Sequence, residues 1–428
     1  MPARITATFS SLAVRNYRIF FIVQLVSVTG TWMQQVAQAW LVLRLTGSGV
    51  ALGITAALQF LPTLLFASHG GLIADRTDKR KLLMATQTAA ATLALTLAAL
   101  TLTGEVRLWM VWVIAFVLGC VNALDNPTRQ SFVVEMVGRA QLANAVGLNS
   151  AVFTAARVVG PAMAGLLIAA VGTGWCFLLN GVSYLPVVAG LMLMRSHELQ
   201  VGPRASRERG QIVAGLRYAW SRPELRVPLL AMALIGIFAF NFNVFLPLMA
   251  TNEFHGGSSV FGLLLSVMGV GALAGALVAA SRQSPTMRLL GIGAAGFGGA
   301  MVAAALMPSL PWELVALIPM GALMVTVQAT ANSLLQLHAD PAFRGRVMAL
   351  YVMVFLGTTP FGGPLVGFIA QHFGPREAFA LGGTAAAVAG AYVLWALRRS
   401  ITAEARVAAL ERDREPGPGR ASTPSPSA

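Results

Sequence analysis

The feature that most constrains this chain is a series of apolar stretches, each about 20 residues long, that recurs along the whole sequence. One of them, at 82–102, reads LLMATQTAAATLALTLAALTL. A spanning helix needs about 20 apolar residues, whereas strands of a membrane barrel alternate apolar and polar residues, and these stretches do not. Hydrophobic residues make up 56% of the chain and charged residues 11%. The sequence therefore predicts an all-α integral membrane protein whose solvent is the lipid bilayer.

Twelve such stretches are predicted to span the membrane, at 17–43, 49–71, 82–103, 108–126, 144–171, 174–195, 227–250, 258–281, 288–307, 311–336, 347–371 and 377–398. The longest polar segment, RSHELQVGPRASRERG, follows the sixth stretch. We therefore expect a cytoplasmic N-terminus (1–16), a six-helix bundle (17–195), a cytoplasmic central loop (196–226), a second six-helix bundle (227–398) and a cytoplasmic tail (399–428). The tail is rich in Pro, Ser and Gly from about residue 415 and is expected to be disordered there.

The net charge of +14 is spread over short loops between the spans. Of the 30 Lys and Arg residues, 26 fall on the side that holds both predicted termini and the central loop. Such asymmetry predicts that this side is cytoplasmic. We therefore expect the protein in the inner (plasma) membrane. Because the positive charge is explained by membrane orientation, we expect no nucleic acid partner. The two cysteines lie inside apolar stretches, so we expect no disulfide framework, metal site or cofactor.

The chain also repeats itself. The pair Gly160-Pro161 in the fifth span recurs 203 positions later as Gly363-Pro364 in the eleventh. Nearly the same offset, 204 positions, relates Gly71 to Gly275. Two landmarks at almost one offset predict a duplicated six-helix unit, so that the two bundles are pseudo-repeats of each other.

The loop between the second and third spans, GGLIADRTDKRKLL, carries six charges in seven residues. Two pseudo-repeated bundles with such a loop resemble the major facilitator superfamily, whose pattern here is roughly G-x-x-x-D-R-x-G-R/K-R. The chain matches it at Gly71, Asp75, Arg76, Lys79 and Arg80, with Asp78 where the family has glycine. The fifth-span pattern G-P-x-x-G-G of the family's antiporters is matched at Gly160, Pro161 and Gly165.

Three further stretches are similar to the enterobactin-exporter-like, drug-efflux branch: NYRIFFIVQLVSVTG, DNPTRQSFVVEMV and FRGRVMALY. The resemblance implies a monomeric secondary transporter that exports a small amphipathic or siderophore-like molecule by alternating access. Protons are a candidate coupling ion on the resemblance alone, because no acidic residue falls mid-span. An importer or facilitator of the same fold is the alternative. A polytopic membrane enzyme is more remote, because the five histidines have no acidic partners at catalytic spacing, and we expect no catalytic residues.

The loop motif is predicted to act as a conformational latch. A helix that begins at the cytoplasmic face presents unpaired N–H groups and the positive end of its dipole, which the Asp75 carboxylate suits. By the resemblance, that helix is the eleventh span, and Asp125 joins the network with Arg76 and Lys79. The second copy has Ala279 in place of Asp75, which favours a contact between halves over a simple topological anchor, although the anchor stays open.

The fifth span holds two further candidates. The resemblance implies that Gly160, Pro161 and Gly165 lie between the halves and limit leak, the alternative being a simple helix kink. Arg157 is an isolated cation within the span, which costs about 2.5–3.5 kcal/mol to insert. We expect it to face a wet cavity as an anion or polar-substrate contact; a salt link to the cytoplasmic end is the alternative.

Other amides within spans are candidate cavity residues by the resemblance, which places the first, fourth, seventh and tenth helices around the cavity. Single amides in membrane helices also serve as interhelical hydrogen-bond partners. With Arg157, the predicted cavity residues are Gln34, Gln38, Asn149, Asn241, Asn243 and Gln328; Gln35 is a further amide of the first span.

Overall fold

The computed structural model describes residues 9–200, 211–281, 285–341 and 343–414, and these residues form α-helices and no strand. The α-helices are α1 (Arg15–Thr46), α2 (Gly49–Arg76), α3 (Lys79–Leu102), α4 (Leu108–Val171), α5 (Thr173–Leu193), α6 (Gln211–Ser221), α7 (Pro223–Phe238), α8 (Phe242–Leu248), α9 (Ser258–Ser281), α10 (Met287–Ala305), α11 (Leu310–His338), α12 (Arg344–Gly357), α13 (Thr359–His372) and α14 (Pro375–Arg414).

Eleven segments of the described chain are long and apolar enough to cross a membrane. The longest, α4, has 64 residues and a break at Gly138, where φ is 67° and ψ is 178°. A positive φ suits glycine because it has no Cβ. Since α4 on either side of Gly138 is long enough to span a bilayer, it contributes two spans, and the predicted all-α, twelve-span membrane fold is confirmed.

The predicted loop at 127–143, between the fourth and fifth spans, is wrong, because this segment is helical apart from the break at Gly138. Its polar side chains have partners that stabilise the helix outside the apolar stretches. Asp125 pairs with Arg129 one turn later, and Glu135 pairs with Lys79. A search for apolar runs cannot detect such a helix.

Two spans are interrupted. The seventh consists of α7 and α8 with non-helical residues 239–241 between them, followed by a π-helical turn at Met249–Glu253. The eleventh consists of α12 and α13, separated at Thr358. The last helix continues to Arg414, past the predicted end at 398, and the predicted disordered tail from 415 lies outside the described residues, as does 201–210 of the central loop.

The helices pack in two groups. In the first, α1 lies against α4 and α5, α2 against α4, and α3 against α5; in the second, α9 lies against α11, and α10 against α11 and α14. Asn16, at the start of α1, exchanges hydrogen bonds with the backbone of Arg195. We call this side, with Arg195 and α6, the linker side. The other end of α1, at Thr46, lies on the far side.

The two groups join mainly through α2 against α13 and α4 against α9. On the far side, Ser48 Oγ donates to Gln371 Oε1 at 2.6 Å, and the rings of Trp40 and Phe261 stack with centroids 6.2 Å apart. Among the described residues, the hydrogen bonds between the two groups lie on the far side or at the level of Arg157. The two halves are therefore closed together on the far side.

Candidate functional site

A cavity of about 180 Å³ lies between the two groups of helices. Aromatic and apolar side chains make most of its wall, with one cation and a few amides among them. Its lining is Trp32, Gln35, Ala56, Phe60, Arg157, Pro161, Phe240, Asn241, Phe242, Asn243, Val244, Leu265, Met268, Met324, Gln328, Phe355 and Thr359. Apolar walls with a few fixed polar groups are typical of small-molecule sites.

Among the described residues that line this cavity, Arg157 carries the only charge. Its guanidinium carbon lies 5.6 Å from the centre of the Trp32 ring, and its Nη2 lies 3.8 Å from Met324 Sδ. No described Asp or Glu forms an ion pair with it. The alternative of a salt link to the linker side is therefore absent from the described contacts, and the cation faces the cavity with no counter-ion among the described residues.

Two of the four amides in the cavity wall come from the interrupted seventh span. Asn241 is the residue that precedes α8, and Asn243 lies in its first turn. The Asn241 Nδ2 group donates to Ile237 O at 2.8 Å, but the buried Oδ1 atom has no hydrogen-bond partner. Non-helical backbone at membrane depth is tolerated where it lines a cavity. The other two amides are Gln35 of α1 and Gln328 of α11.

Three of the predicted cavity residues lie elsewhere. Gln34 is buried in the first helix group and accepts a hydrogen bond from Asn180 Nδ2 at 2.6 Å. Gln38 is buried one turn later on the same helix, and Asn149 is outside the cavity lining. Gln35 lines the cavity instead, because successive helical residues point about 100° apart. The sequence of α1, with three glutamines at positions 34, 35 and 38, does not indicate which of them faces the cavity.

The fifth-span motif lies only partly between the halves: Pro161 and Gly165 contact α9 of the second half, whereas the prediction is wrong for Gly160, which lies against α1 of its own half. A Cβ on Gly160 would approach Trp32 Cβ of α1 to 2.6 Å, and one on Gly165 would lie 3.0 Å from Ser258 O of α9. The hydroxyl of Ser258 donates to Gly165 O at 3.3 Å. The backbones of α4 and α9 can approach this closely only because glycine occupies the crossing.

A second crossing, between α2 and α13, mirrors the first. Gly53 faces the backbone of Gly363, and Gly49 faces that of Gly367. Gly363 is the repeat of Gly160, so each half contributes the Gly-Pro helix of its own copy to a contact with the other half. The far side is thus closed by two backbone crossings.

The loop motif has a well-defined turn. Asp78, which replaces the family's glycine, has φ −65° and ψ 109°, a conformation open to any residue. Its carboxylate accepts a hydrogen bond from Lys81 N at 3.1 Å and so caps the N-terminus of α3. At the position where the family has glycine, this chain therefore has an aspartate that caps α3.

The basic residues of the motif hold the first half together. Lys79 Nζ lies 2.6 Å from Glu135 Oε1 of α4. Arg80 donates to the Leu191 and Met192 carbonyls at 2.6 and 2.8 Å, at the end of α5, where orphan carbonyls need donors. Glu135 was not predicted as a partner, because it lies in the segment assigned to a loop.

The predicted network around Asp125 is wrong in its partners. The buried carboxylate accepts from Thr86 Oγ1 at 2.7 Å and Gln87 Nε2 at 2.8 Å, and it pairs with Arg129. It does not pair with Lys79, which binds Glu135. Arg76 is exposed. The side chain of Asp75 and the surroundings of Gly71 lie outside the described part of the chain.

A second charged group lies on the far side of the second half. Arg376 Nε lies 2.5 Å from Glu253 Oε2, and Arg376 Nη1 donates to Ala305 O at 3.3 Å. Glu313, in the first turn of α11, is fully buried, and neither carboxylate oxygen has a hydrogen-bond partner. Among the described residues, no cluster of His, Cys, Asp or Glu could hold a metal ion.

Comparison with known proteins gives one family and consistent relatives. A family model described as transmembrane secretion effector (MFS_3) matches residues 6–418. The staphyloferrin A transporter of Staphylococcus aureus is 23% identical over 369 residues, covering 86% of this chain and 92% of that protein. The multidrug efflux pump Tap of Mycolicibacterium fortuitum is 27% identical over 82% of this chain and 88% of its own. Macrolide efflux protein A of Streptococcus pyogenes is 25% identical over 84% and 91%.

Solved structures share the fold. A bacterial homologue of the lysosomal transporter Spinster, in an inward-facing unoccupied conformation, superimposes with a TM-score of 0.69 at 15% identity, covering 89% of this chain and 95% of that chain. An inward-facing bacterial homologue of the iron transporter ferroportin gives a TM-score of 0.68 at 15% identity, covering 89% and 98%.

Proposed function

Because the chain belongs to the transmembrane secretion effector family of the major facilitator superfamily, we propose that it exports an amphipathic small molecule bearing a negative charge. The chain is a multi-pass membrane protein and a secondary transporter that exports small molecules. The finer assignment rests on one observation: Arg157 lies in the cavity wall and no described carboxylate pairs with it.

The cavity chemistry supports an amphipathic substrate. A buried cation without a counter-ion is costly, and an anionic group on the substrate offsets that cost through a charge-assisted hydrogen bond. The aromatic side chains Trp32, Phe240 and Phe355 offer apolar surface around it, and Asn243 and Gln328 offer amide donors and acceptors. A siderophore-like molecule, with carboxylate or phenolate groups on an apolar frame, fits this combination.

The proposed cycle is alternating access. The two glycine crossings close the far side, and we assign the linker side to the cytoplasm from the distribution of Lys and Arg. The structure then corresponds to a state that receives substrate from the cytoplasm. Opening the far side separates α2 from α13 and α4 from α9, and the loop motif with Asp75 serves as the latch of that second state.

Protons remain the proposed coupling ion, exchanged for the substrate. Glu313 is the candidate carrier, because its buried carboxylate has no fixed hydrogen-bond partner. We place the protein in the plasma membrane as a monomer with both termini in the cytoplasm, and we propose transport without covalent chemistry.

Ligand screening on the purified protein tests the proposal. Thermal stability is measured with anionic amphipaths such as catecholate and hydroxycarboxylate siderophores, with neutral macrolides and with lipophilic cations. A ligand that binds the folded state raises the melting temperature. We expect stabilisation by anionic compounds that disappears in Arg157→Ala. Stabilisation by cations alone would contradict the proposal. Flux of each hit in proteoliposomes, with counterflow measured in both directions, distinguishes an exporter from a facilitator.

A further inference from the structure

Helix α6 lies outside the membrane spans and meets α7 at a corner. It has 11 residues, too few to cross a bilayer. Arg222, between the two helices, is extended, with φ −115° and ψ 114°, and Pro223 then begins α7. The chain therefore changes direction at the point where the seventh span starts.

One face of α6 is attached to the loop between α11 and α12. The Tyr218 ring stacks on Phe343 with centroids 4.2 Å apart and planes 10° from parallel. Arg222 pairs with Asp340 at 3.0 Å and lies over the Tyr218 ring, and Asp340 N donates to Tyr218 Oη at 3.0 Å. Gly215 is buried against Arg346. This face fixes α6 to the linker-side end of the second half.

The adjoining flank of α6 is apolar and has no described cover. Leu216 and Trp220, one turn apart, are 49% and 54% exposed. Trp220 comes three residues before α7 begins, so its ring is at the depth where a membrane span starts. Tryptophan is enriched at this depth, with its ring among the lipid headgroups. A short helix with an apolar flank beside charged residues is typical of interfacial helices.

The apolar flank is bordered by positive charge. Arg217 is exposed, and Arg226 lies with its guanidinium carbon 6.0 Å from the centre of the Trp220 ring. Neither pairs with a described Asp or Glu, whereas Arg222 of the same region is paired with Asp340. We therefore propose that α6 lies in the membrane interface, with Leu216 and Trp220 among the acyl chains and Arg217 and Arg226 bound to the phosphates of anionic phospholipids.

The assignment gives the second half a lipid-sensitive attachment. The lipid-bound flank of α6 and its Tyr218–Phe343 face are on one short helix, so a lipid held by the flank also holds the loop that leads into α12. Since α12 belongs to the eleventh span, the surface charge of the membrane acts on an element that must move when the linker side closes. Lipid binding at α6 does not depend on the identity of the exported molecule.

Fluorescence quenching in nanodiscs tests the position of Trp220. The full-length protein and Trp220→Phe are compared, so that the difference reports this ring among the eight tryptophans. We expect the difference signal to be quenched by phospholipids brominated near the headgroup and to be protected from iodide in the water. Quenching by iodide without quenching by brominated lipid would overturn the proposal, as would a disulfide between two copies formed by Trp220→Cys.

Lipid competition tests the role of the arginines. Brominated phosphatidylglycerol is mixed with unbrominated phosphatidylcholine, and then the bromine is moved to the other lipid. We expect Trp220 to be quenched more strongly when phosphatidylglycerol is the brominated lipid. This preference should fall about fivefold in Arg217→Gln and about fivefold in Arg226→Gln. Arg288→Gln, an exposed charge at the start of α10, is the matched control and should leave the preference unchanged. An unchanged preference in both variants, or an equal fall in the control, would overturn the proposal.

Discussion

The guanidinium of Arg157 lies over the indole ring of Trp32, 5.6 Å from its centre. Both residues belong to the first half, on α4 and α1, and Phe153 supports the same ring from the side at 5.5 Å. An arginine over a tryptophan face is attracted by the ring quadrupole, so the cation is held in place before any ligand arrives. Met324 of α11 brings the second half to the same guanidinium, and the proposed anion site is therefore shared by both halves.

Removal of this cation should strongly reduce transport without loss of the fold. In Arg157→Ala we expect about a 10- to 100-fold loss of substrate flux, since a hydrogen bond to a charged group contributes about 1.5–3 kcal/mol. Arg157→Lys should retain part of the flux because it keeps the charge. Arg107→Ala, which removes an exposed arginine at the start of α4, is the control for net charge. Flux in proteoliposomes and the amount of inserted protein are measured together; full flux in Arg157→Ala would contradict the role.

A methyl group at the crossing of α4 and α9 should shift the conformational equilibrium. A Cβ on Gly262 would lie 2.6 Å from Pro161 O, and such overpacking costs about 1–3 kcal/mol. Gly262→Ala should therefore open the far side. Spin labels at Arg107 and Leu306, exposed far-side residues of the two halves, should show a longer distance population.

The control for this experiment is Gly299→Ala, because a Cβ on Gly299 of α10 would meet nothing within 4 Å. Cys120 and Cys176 are first replaced by alanine so that only the introduced sites are labelled. An identical distance distribution in Gly262→Ala and Gly299→Ala would show that the crossing tolerates a side chain.

The two acidic residues of the loop motif should differ in what they affect. Asp78→Ala removes the cap of α3 and should lower stability by about 0.5–2 kcal/mol, whereas Asp78→Asn keeps a good cap. Asp75→Asn, if the latch proposal holds, should lower the transport rate at unchanged stability. Melting temperature and flux are compared across the three variants. A loss of stability in Asp75→Asn, or none in Asp78→Ala, would reverse the assignment.

The ion pair between Lys79 and Glu135 should make a measurable contribution to stability. Both side chains are largely buried, with 14% and 10% exposed, so the removal of one partner leaves an uncompensated charge at a cost of about 3 kcal/mol. The double variant Lys79→Met, Glu135→Gln should recover much of this loss. The pair of Arg195 and Glu198, whose side chains are 54% and 32% exposed, is the control, since ion pairs open to solvent contribute about 0–1 kcal/mol. Strictly additive losses in the double variant would rule out coupling.

Glu313→Gln tests the proposed proton exchange. The amide is nearly isosteric but cannot carry a proton across, so export should lose its response to an imposed pH gradient while exchange of substrate for substrate continues. Glu105→Gln, at an exposed carboxylate in the loop between α3 and α4, is the control and should keep the full response. A wild-type pH response in Glu313→Gln would exclude this residue as the carrier.

The sequence was sufficient for the fold and for the superfamily because both depend on features that are local in the chain. Apolar stretches predict spans wherever lipid is the neighbour, and the family match confirms the resemblance built on the loop and fifth-span patterns. The same criterion failed at 127–143, where the helix is stabilised by ion pairs and exposes polar side chains. The interruptions of the helices at residues 239–241 and at Thr358 were also not predicted, because they lie inside continuous apolar stretches.

The orientation of side chains was only partly predictable. The sequence predicts that Arg157 lies in the cavity, because an isolated cation within a membrane span is costly unless it faces a wet cavity or a partner. The structure places it in the cavity wall. Gln34 and Gln35 cannot be told apart in this way, since the hydrogen bond that occupies Gln34 comes from Asn180, far away in the sequence. Two partners of Asp125, Thr86 and Gln87, are likewise set by the packing of α3 on α4, which no spacing within the motif encodes.

The cap formed by Asp78 bears on which residues a sequence search should accept at this position of the loop pattern. Glycine and aspartate share little chemistry, yet both are favoured at the residue that precedes a helix, and that is the position Asp78 occupies. The requirement at this point of the pattern is then the start of a helix, which Ser, Thr and Asn also satisfy. A genome search that insists on glycine here would discard genuine relatives, and one that accepts any good capping residue would retain them.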